Sequence, residues 1–208
     1  MTQKTLDAIS ESRVVAIVRE GTADEAKREV DRLIDAGVRA IEVSLSTPRA
    51  LDVARWMAGV KAECLHFGVG TVLTARDVEE AADAGASFIV SPISHAGLLS
   101  TSRSLGLVSI VGAMTPTECM VAWEAGADFL KLFPANMWTF DALKGLLQAL
   151  PSLRLVPTGG ITLSTASAWL EAGAVAVGMG TALRANGSVD ELREAIRALA
   201  TGDRTDAR

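Results

Sequence analysis

Four times along this chain an acidic residue, Ala, Gly and a small apolar residue stand in succession, each time just ahead of an apolar run. The copies are Asp35-Ala36-Gly37-Val38, Asp83-Ala84-Gly85-Ala86, Glu124-Ala125-Gly126-Ala127 and Glu171-Ala172-Gly173-Ala174. Glycine just past the last helical turn takes up the left-handed conformation that ends a helix. Each phrase therefore predicts a helix C-terminus feeding directly into a strand. A repeat of that kind constrains the whole architecture, because it fixes the order in which helices and strands alternate.

Eight short apolar runs fit this alternation: Val14–Val18, Ala40–Leu45, Leu65–Val69, Phe88–Val90, Leu107–Val111, Phe129–Phe133, Leu153–Val156 and Val175–Val177. They are continuous rather than alternating, as strands buried on both faces are. The stretches between them have helical spacing, for example Asp24 to Ile34 and Ala75 to Ala84, with Thr22 and Thr74 placed to cap them. The 208 residues give 26 per unit, which suits a compact α/β chain folded as a single (β/α)8 TIM barrel. An open doubly wound sheet is the alternative, though eight units with such short loops fit it less well. The barrel is expected over residues 1–200, followed by a polar, disordered tail at 201–208.

Composition narrows the class. At 49% hydrophobic residues the chain can bury a core and is not a disordered one. Twenty basic against twenty-five acidic residues, with no basic cluster, argue against a nucleic-acid binder. No segment approaches the ~18 apolar residues of a membrane span, and no signal peptide is visible. Cys64 and Cys119 form no framework and are expected to be reduced, buried thiols of a cytoplasmic protein.

Barrel enzymes place their chemistry at the C-terminal ends of the strands. The sixth run reads Phe129-Leu130-Lys131-Leu132-Phe133-Pro134. Burial disfavours an ammonium, so Lys131 is a candidate nucleophile toward a carbonyl. The competing possibility is a lysine with a buried stem and a solvated or paired head. In the second run, Ala40-Ile41-Glu42-Val43-Ser44-Leu45, Glu42 sits in equally apolar company. Side chains from opposite strands meet across so narrow a barrel. The two residues suit general acid–base catalysis beside a nucleophile, or a structural ion pair. Arg19 ends the first run and could bind a substrate anion or form a salt bridge at the mouth.

The seventh run leads into Pro157-Thr158-Gly159-Gly160 and the eighth into Gly178-Met179-Gly180-Thr181. Small-residue loops after the last two strands are where barrels commonly hold phosphate. Gly68-Val69-Gly70-Thr71 and Ser91-Pro92 add polar groups at the same rim. His66 is expected to pack in its strand, and His95 lies alone in a loop. Two histidines without paired spacing make a histidine zinc site improbable, and no metal is expected. The tryptophans at 56, 123, 138 and 169 fall in helical units and are expected to pack.

Taken in order, the motifs resemble the 2-keto-3-deoxy-6-phosphogluconate (KDPG) aldolases. That family includes 4-hydroxy-2-oxoglutarate (KHG) aldolases and 2-keto-3-deoxy-6-phosphogalactonate (KDPGal) aldolases. The matching segments are Val14 to Arg19, Ile41 to Leu45, Gly68 to Thr71, Ser91-Pro92, Met114 to Glu118, Leu130 to Ala135 and Pro157 to Ile161. The resemblance spans about residues 5 to 200. It implies a class I aldolase on a barrel, a homotrimer, with no metal or cofactor beyond a covalent imine on Lys131. It further implies Glu42 as proton shuttle, Thr71 near the pyruvate carboxylate, and Thr158, Gly159, Gly160, Gly180 and Thr181 at the phosphate end. Arg19, Ser91, Pro92 and Phe133 complete the expected substrate contacts.

The implied reaction cleaves KDPG, a small phosphorylated 2-keto acid, into pyruvate and glyceraldehyde 3-phosphate. Cleavage of KHG to pyruvate and glyoxylate is a further implied activity. Thr158 is like the gluconate branch; the galactonate branch often has Val there. Three departures bear on substrate: Ser46 where many members carry Arg, Val111-Gly112 in place of Pro-Gly, and Asn136 to Phe140 where a Gly is common. KDPGal is thus an alternative substrate on the same mechanism. A phosphate-binding barrel transferase or isomerase without imine chemistry, and a non-catalytic sugar-acid sensor, are the alternatives outside this class.

Overall fold

The structure, a computed structural model, describes residues 2–59, 65–184 and 187–202. Cys64 and the tail residues 203–208 lie outside the described residues. The strands are β1 (Val14–Val18), β2 (Ala40–Ser44), β3 (His66–Gly70), β4 (Phe88–Val90), β5 (Val108–Ala113), β6 (Phe129–Leu132) and β7 (Val177–Met179). They form one parallel sheet in the order β6-β5-β4-β3-β2-β1-β7. The helices between them are α2 (Ala23–Asp35), α3 (Ala50–Gly59), α4 (Ala75–Asp83), α5 (Ala96–Ser104), α6 (Pro116–Glu124), α7 (Phe140–Ala149) and α8 (Leu163–Glu171). Two more, α9 (Thr181–Arg184) and α10 (Val189–Thr201), follow β7.

The seventh expected strand is present only as two isolated bridges, Leu130 with Leu155 and Thr158 with Gly178. These bridges nonetheless close the ring between β6 and β7. Val156 and Thr158 donate to Leu130 and Leu132, while Gly178 donates to Pro157. Pro157 has no N–H to extend a ladder, and Gly159 and Gly160 turn away at φ 103° and 76°. The result is a nearly closed TIM-like barrel in a single body.

All four repeated phrases end their helices as the sequence predicts. Gly37, Gly85, Gly126 and Gly173 have φ of 84°, 86°, 94° and 109°. In each, the glycine N–H and the next N–H reach back to helix carbonyls, as in Gly37 to Ile34 and Val38 to Leu33. A fifth turn of this kind follows α5, where Gly106 has φ 70° and Leu107 donates to Ser102. Its sequence, Ser104-Leu105-Gly106, lacks the acidic–Ala signature. Thr22 and Thr74 cap α2 and α4, accepting from the N–H groups of Glu25 and Asp77.

The helix α1 (Thr2–Ser12) is the element that the sequence reading did not anticipate. It carries Ile9 into the barrel's lower interior, against a cluster that includes Val15, Phe88, Val108, Phe129 and Val156. Thr5 of the same helix bonds His66 Nδ1 at 2.9 Å. A second, larger apolar layer joins the outer strand faces to the helices, and holds Trp56, Trp123, Trp138 and Trp169. Both strand faces are therefore buried, which is why the runs read as continuous.

Candidate active site

Strand parity decides which side chains enter the barrel. On β6, Phe129 points into the lower interior, so Lys131 does so one layer higher. On β2 the same count takes Ala40 to Glu42 and then Ser44. Lys131 is 7% exposed and Glu42 2%. Glycines on the inward face make room for Glu42 and for the Phe88 ring below it. A Cβ on Gly70 would lie 2.6 Å from Glu42 Oε1, and one on Gly68 within 2.4 Å of the Phe88 ring. Neither glycine is forced by a turn; both are vacant lots that neighbouring side chains occupy.

Burial is the dominant force on both charged groups. It pushes the Glu42 carboxyl above its ordinary value, and the Lys131 and Arg19 charges only partly offset this. It pushes the Lys131 amine below its ordinary value, with Glu42 pulling the other way and Arg19 adding to the fall. Both groups thus move toward their neutral forms. Among the described residues no ion pair joins them. Glu42 Oε2 is buried with no hydrogen-bond partner among those residues. A structural ion pair would satisfy that oxygen; here it is left for something else to engage. Lys131 Nζ also lies 4.8 Å from the centre of the Phe133 ring.

Both residues open onto a cavity of about 630 Å³ at the C-terminal end of the barrel. Of the sequence-predicted site residues, Arg19, Glu42, Thr71, Pro92, Lys131, Phe133, Thr158, Gly159, Gly160, Gly180 and Thr181 line it. Ser91 does not. It is fully buried, and its hydroxyl accepts from the Ile93 N–H at 3.2 Å, so it shapes the loop carrying Pro92. His95 also stays outside, capping α5 by accepting from the Leu98 N–H. Among the described residues, no three His, Cys, Asp or Glu side chains gather as metal ligands. Cys119 is buried, and desolvation raises its thiol to about 11.

Arg184, Ile161 and Thr162 also line the cavity, and sequence reading missed them. The salt bridge at the mouth is formed not by Arg19 but by its neighbour Glu20, which pairs with Arg184 at 2.9 Å. A lone arginine at the end of a four-residue helix carries no sequence signal for this. At the far side, Gly159 and Gly160 pack against Phe133 and Asn136: a Cβ on Gly160 would sit 3.4 Å from the Asn136 Cβ. The divergent segment Asn136 to Phe140 thus supports the loop from behind, and Phe140 stacks edge-on against Trp169 at 4.9 Å.

Comparison with known proteins finds relatives along most of the chain. The chain is 35% identical to a probable 2-dehydro-3-deoxy-6-phosphogalactonate aldolase of Rhizobium meliloti, over 92% of this chain and 90% of that protein. It is 35% identical to a 2-dehydro-3-deoxy-phosphogluconate aldolase of Zymomonas mobilis, over 74% of each. A solved native KDPGal structure superposes with a TM-score of 0.83 at 31% identity, covering 91% of this chain and 95% of that one. Residues 6–197 match the family model for KDPG and KHG aldolase. With a buried lysine and an unpartnered carboxyl facing one cavity in a barrel of this family, the chain belongs to the KDPG/KHG aldolases, class I enzymes that break a carbon–carbon bond.

Proposed function

We propose that this aldolase cleaves 2-keto-3-deoxy-6-phosphogalactonate into pyruvate and glyceraldehyde 3-phosphate through an imine on Lys131. The observation that carries the reaction is the pairing of a desolvated Lys131 with the unpartnered Glu42 carboxyl in one cavity. Gly159, Gly160, Gly180 and Thr181, which line the same cavity, suit the phosphate through their backbone N–H groups. The galactonate epimer is favoured because the galactonate-type relative aligns over 92% of the chain, against 74% for the gluconate-type one. This reverses the order expected from sequence. Family membership also sets aside the transferase, isomerase and sensor alternatives.

One specific observation favours the gluconate epimer as second reading. Thr158 lines the cavity, 5% exposed, and its hydroxyl donates to the Val156 carbonyl at 3.1 Å. Its single proton is thereby spent, so toward a substrate hydroxyl Thr158 can only accept. The two epimers present that hydroxyl with opposite configuration, and one hydrogen bond is enough to separate them. A coupled pyruvate-release assay run on both epimers and on 4-hydroxy-2-oxoglutarate tests the choice. The galactonate epimer is expected to have the highest kcat/KM; a higher value for gluconate would overturn the assignment. Thr158→Val should change the ratio of the two kcat/KM values by about ten-fold, at the expense of the gluconate epimer.

The active species in this reading is a homotrimer. Leu73 and Ile93, in loops beyond β3 and β4, Met137 at the end of a short 3-10 turn (Ala135–Met137) beyond β6, and Val121 of α6 are large apolar side chains left exposed. Sedimentation equilibrium is expected to return three times the 21.7 kDa chain mass; a monomer at micromolar concentration would overturn this.

A further inference from the structure

We propose that Ser44 is a positioning residue that lets the Thr71 hydroxyl donate to the carboxylate of the bound 2-keto acid, an inference that rests on the aldolase reading above. Ser44 is the last residue of β2, fully buried, and paired in register with Gly70, the residue before Thr71. Its Oγ lies 2.7 Å from Thr71 Oγ1 and 2.8 Å from Ser46 Oγ, and accepts a longer bond of 3.4 Å from the Ser46 N–H. Thr71 itself lines the cavity. Three hydroxyls thus form a chain running from the protein exterior at Ser46 to the cavity wall.

Proton counting gives the chain a direction once an anion is present. Each hydroxyl has one proton to give and two lone pairs to receive. An anion accepts only, so Thr71 must spend its proton on it. Thr71 Oγ1 then needs a donor, and Ser44 is the hydroxyl within reach. Ser44 in turn receives from the Ser46 hydroxyl and N–H. The three hydroxyl bonds all point the same way, and each polarises the next.

The backbone shows why Thr71 needs holding. It sits at φ 62°, a left-handed conformation that β-branched residues rarely adopt. Left to local preference, the residue would turn elsewhere. The bond to Ser44 fixes its side chain where the strained backbone presents it.

The test uses pyruvate and borohydride on the full chain, reading the pyruvate concentration that half-saturates trapping, alongside steady-state kinetics. Ser44→Ala is expected to raise that concentration and KM about ten-fold, with kcat within about two-fold of wild type. Ser44→Thr, which keeps the hydroxyl, should restore both. Thr71→Ala should weaken pyruvate to a similar degree, and adding Ser44→Ala to it should weaken it no further. Additive losses in the double variant, or a fall in kcat with KM unchanged, would overturn the proposal. A wild-type enzyme that takes up no pyruvate would overturn both this proposal and the imine reading on which it rests.

Discussion

Lys131→Ala is expected to abolish pyruvate release, lowering kcat/KM by at least about four orders of magnitude, and to eliminate borohydride trapping of pyruvate. The size follows from what the amine does in the proposed reaction. Its nitrogen adds to the C2 carbonyl, water leaves, and a protonated imine replaces the ketone. When the C3–C4 bond breaks, its electron pair moves into that imine and gives an enamine instead of a free carbanion. Among the described residues that line the cavity Lys131 is the one lysine; Arg19 and Arg184 bring guanidinium groups, which lack a nucleophilic amine. Mass spectrometry of the trapped wild-type chain should locate the adduct on Lys131. An adduct on another lysine, with Lys131 unmodified, would sink the assignment.

The second large effect belongs to Glu42. In the proposed reaction its carboxyl takes the proton from the C4 hydroxyl during cleavage and assists loss of water when the imine forms. Glu42→Gln should therefore lower kcat by about 100- to 10,000-fold while still permitting slow trapping. The pH dependence has a definite sign. Glu42 raises the Lys131 amine toward its ordinary value, and burial lowers it. Without the carboxylate only the lowering remains, so the free amine becomes available at lower pH. The acidic limb of the trapping profile should move down in pH in Glu42→Gln; an upward move would contradict the assigned coupling. Gly70→Ala supplies an independent check, because its methyl would intrude 2.6 Å from Glu42 Oε1 and displace the carboxyl without altering its chemistry. Its kcat should fall in the same direction, with trapping retained.

Much of this was legible in the sequence for a definite reason. The reaction needs charge in a place where charge is costly, so Lys131 and Glu42 stand out against apolar neighbours. Helix ends were legible because left-handed turns admit few residues besides glycine. What escaped reading was held by long-range contact. The seventh run looked as strand-like as the others, yet Pro157 and the Gly159-Gly160 turn reduce it to bridges. Helix α1 was hidden because its apolar side chains are few and its purpose, filling the barrel floor, depends on partners far along the chain. The Glu20–Arg184 pair joins residues 164 apart by number, and no local pattern announces it. Ser91 looked like a rim group, but its hydroxyl turns back onto its own loop.

The glycine turns that close α2, α4, α6 and α8 all feed the starting ends of strands, while the cavity opens at the finishing ends. The molecule therefore has a floor that governs robustness and a roof that governs chemistry, with the barrel wall between them. Changes in the roof loops can retune which sugar acid is accepted without loosening the turns beneath. Changes in the floor can harden the protein against heat without touching the lysine. That separation lets one small scaffold be adapted for two different demands at once.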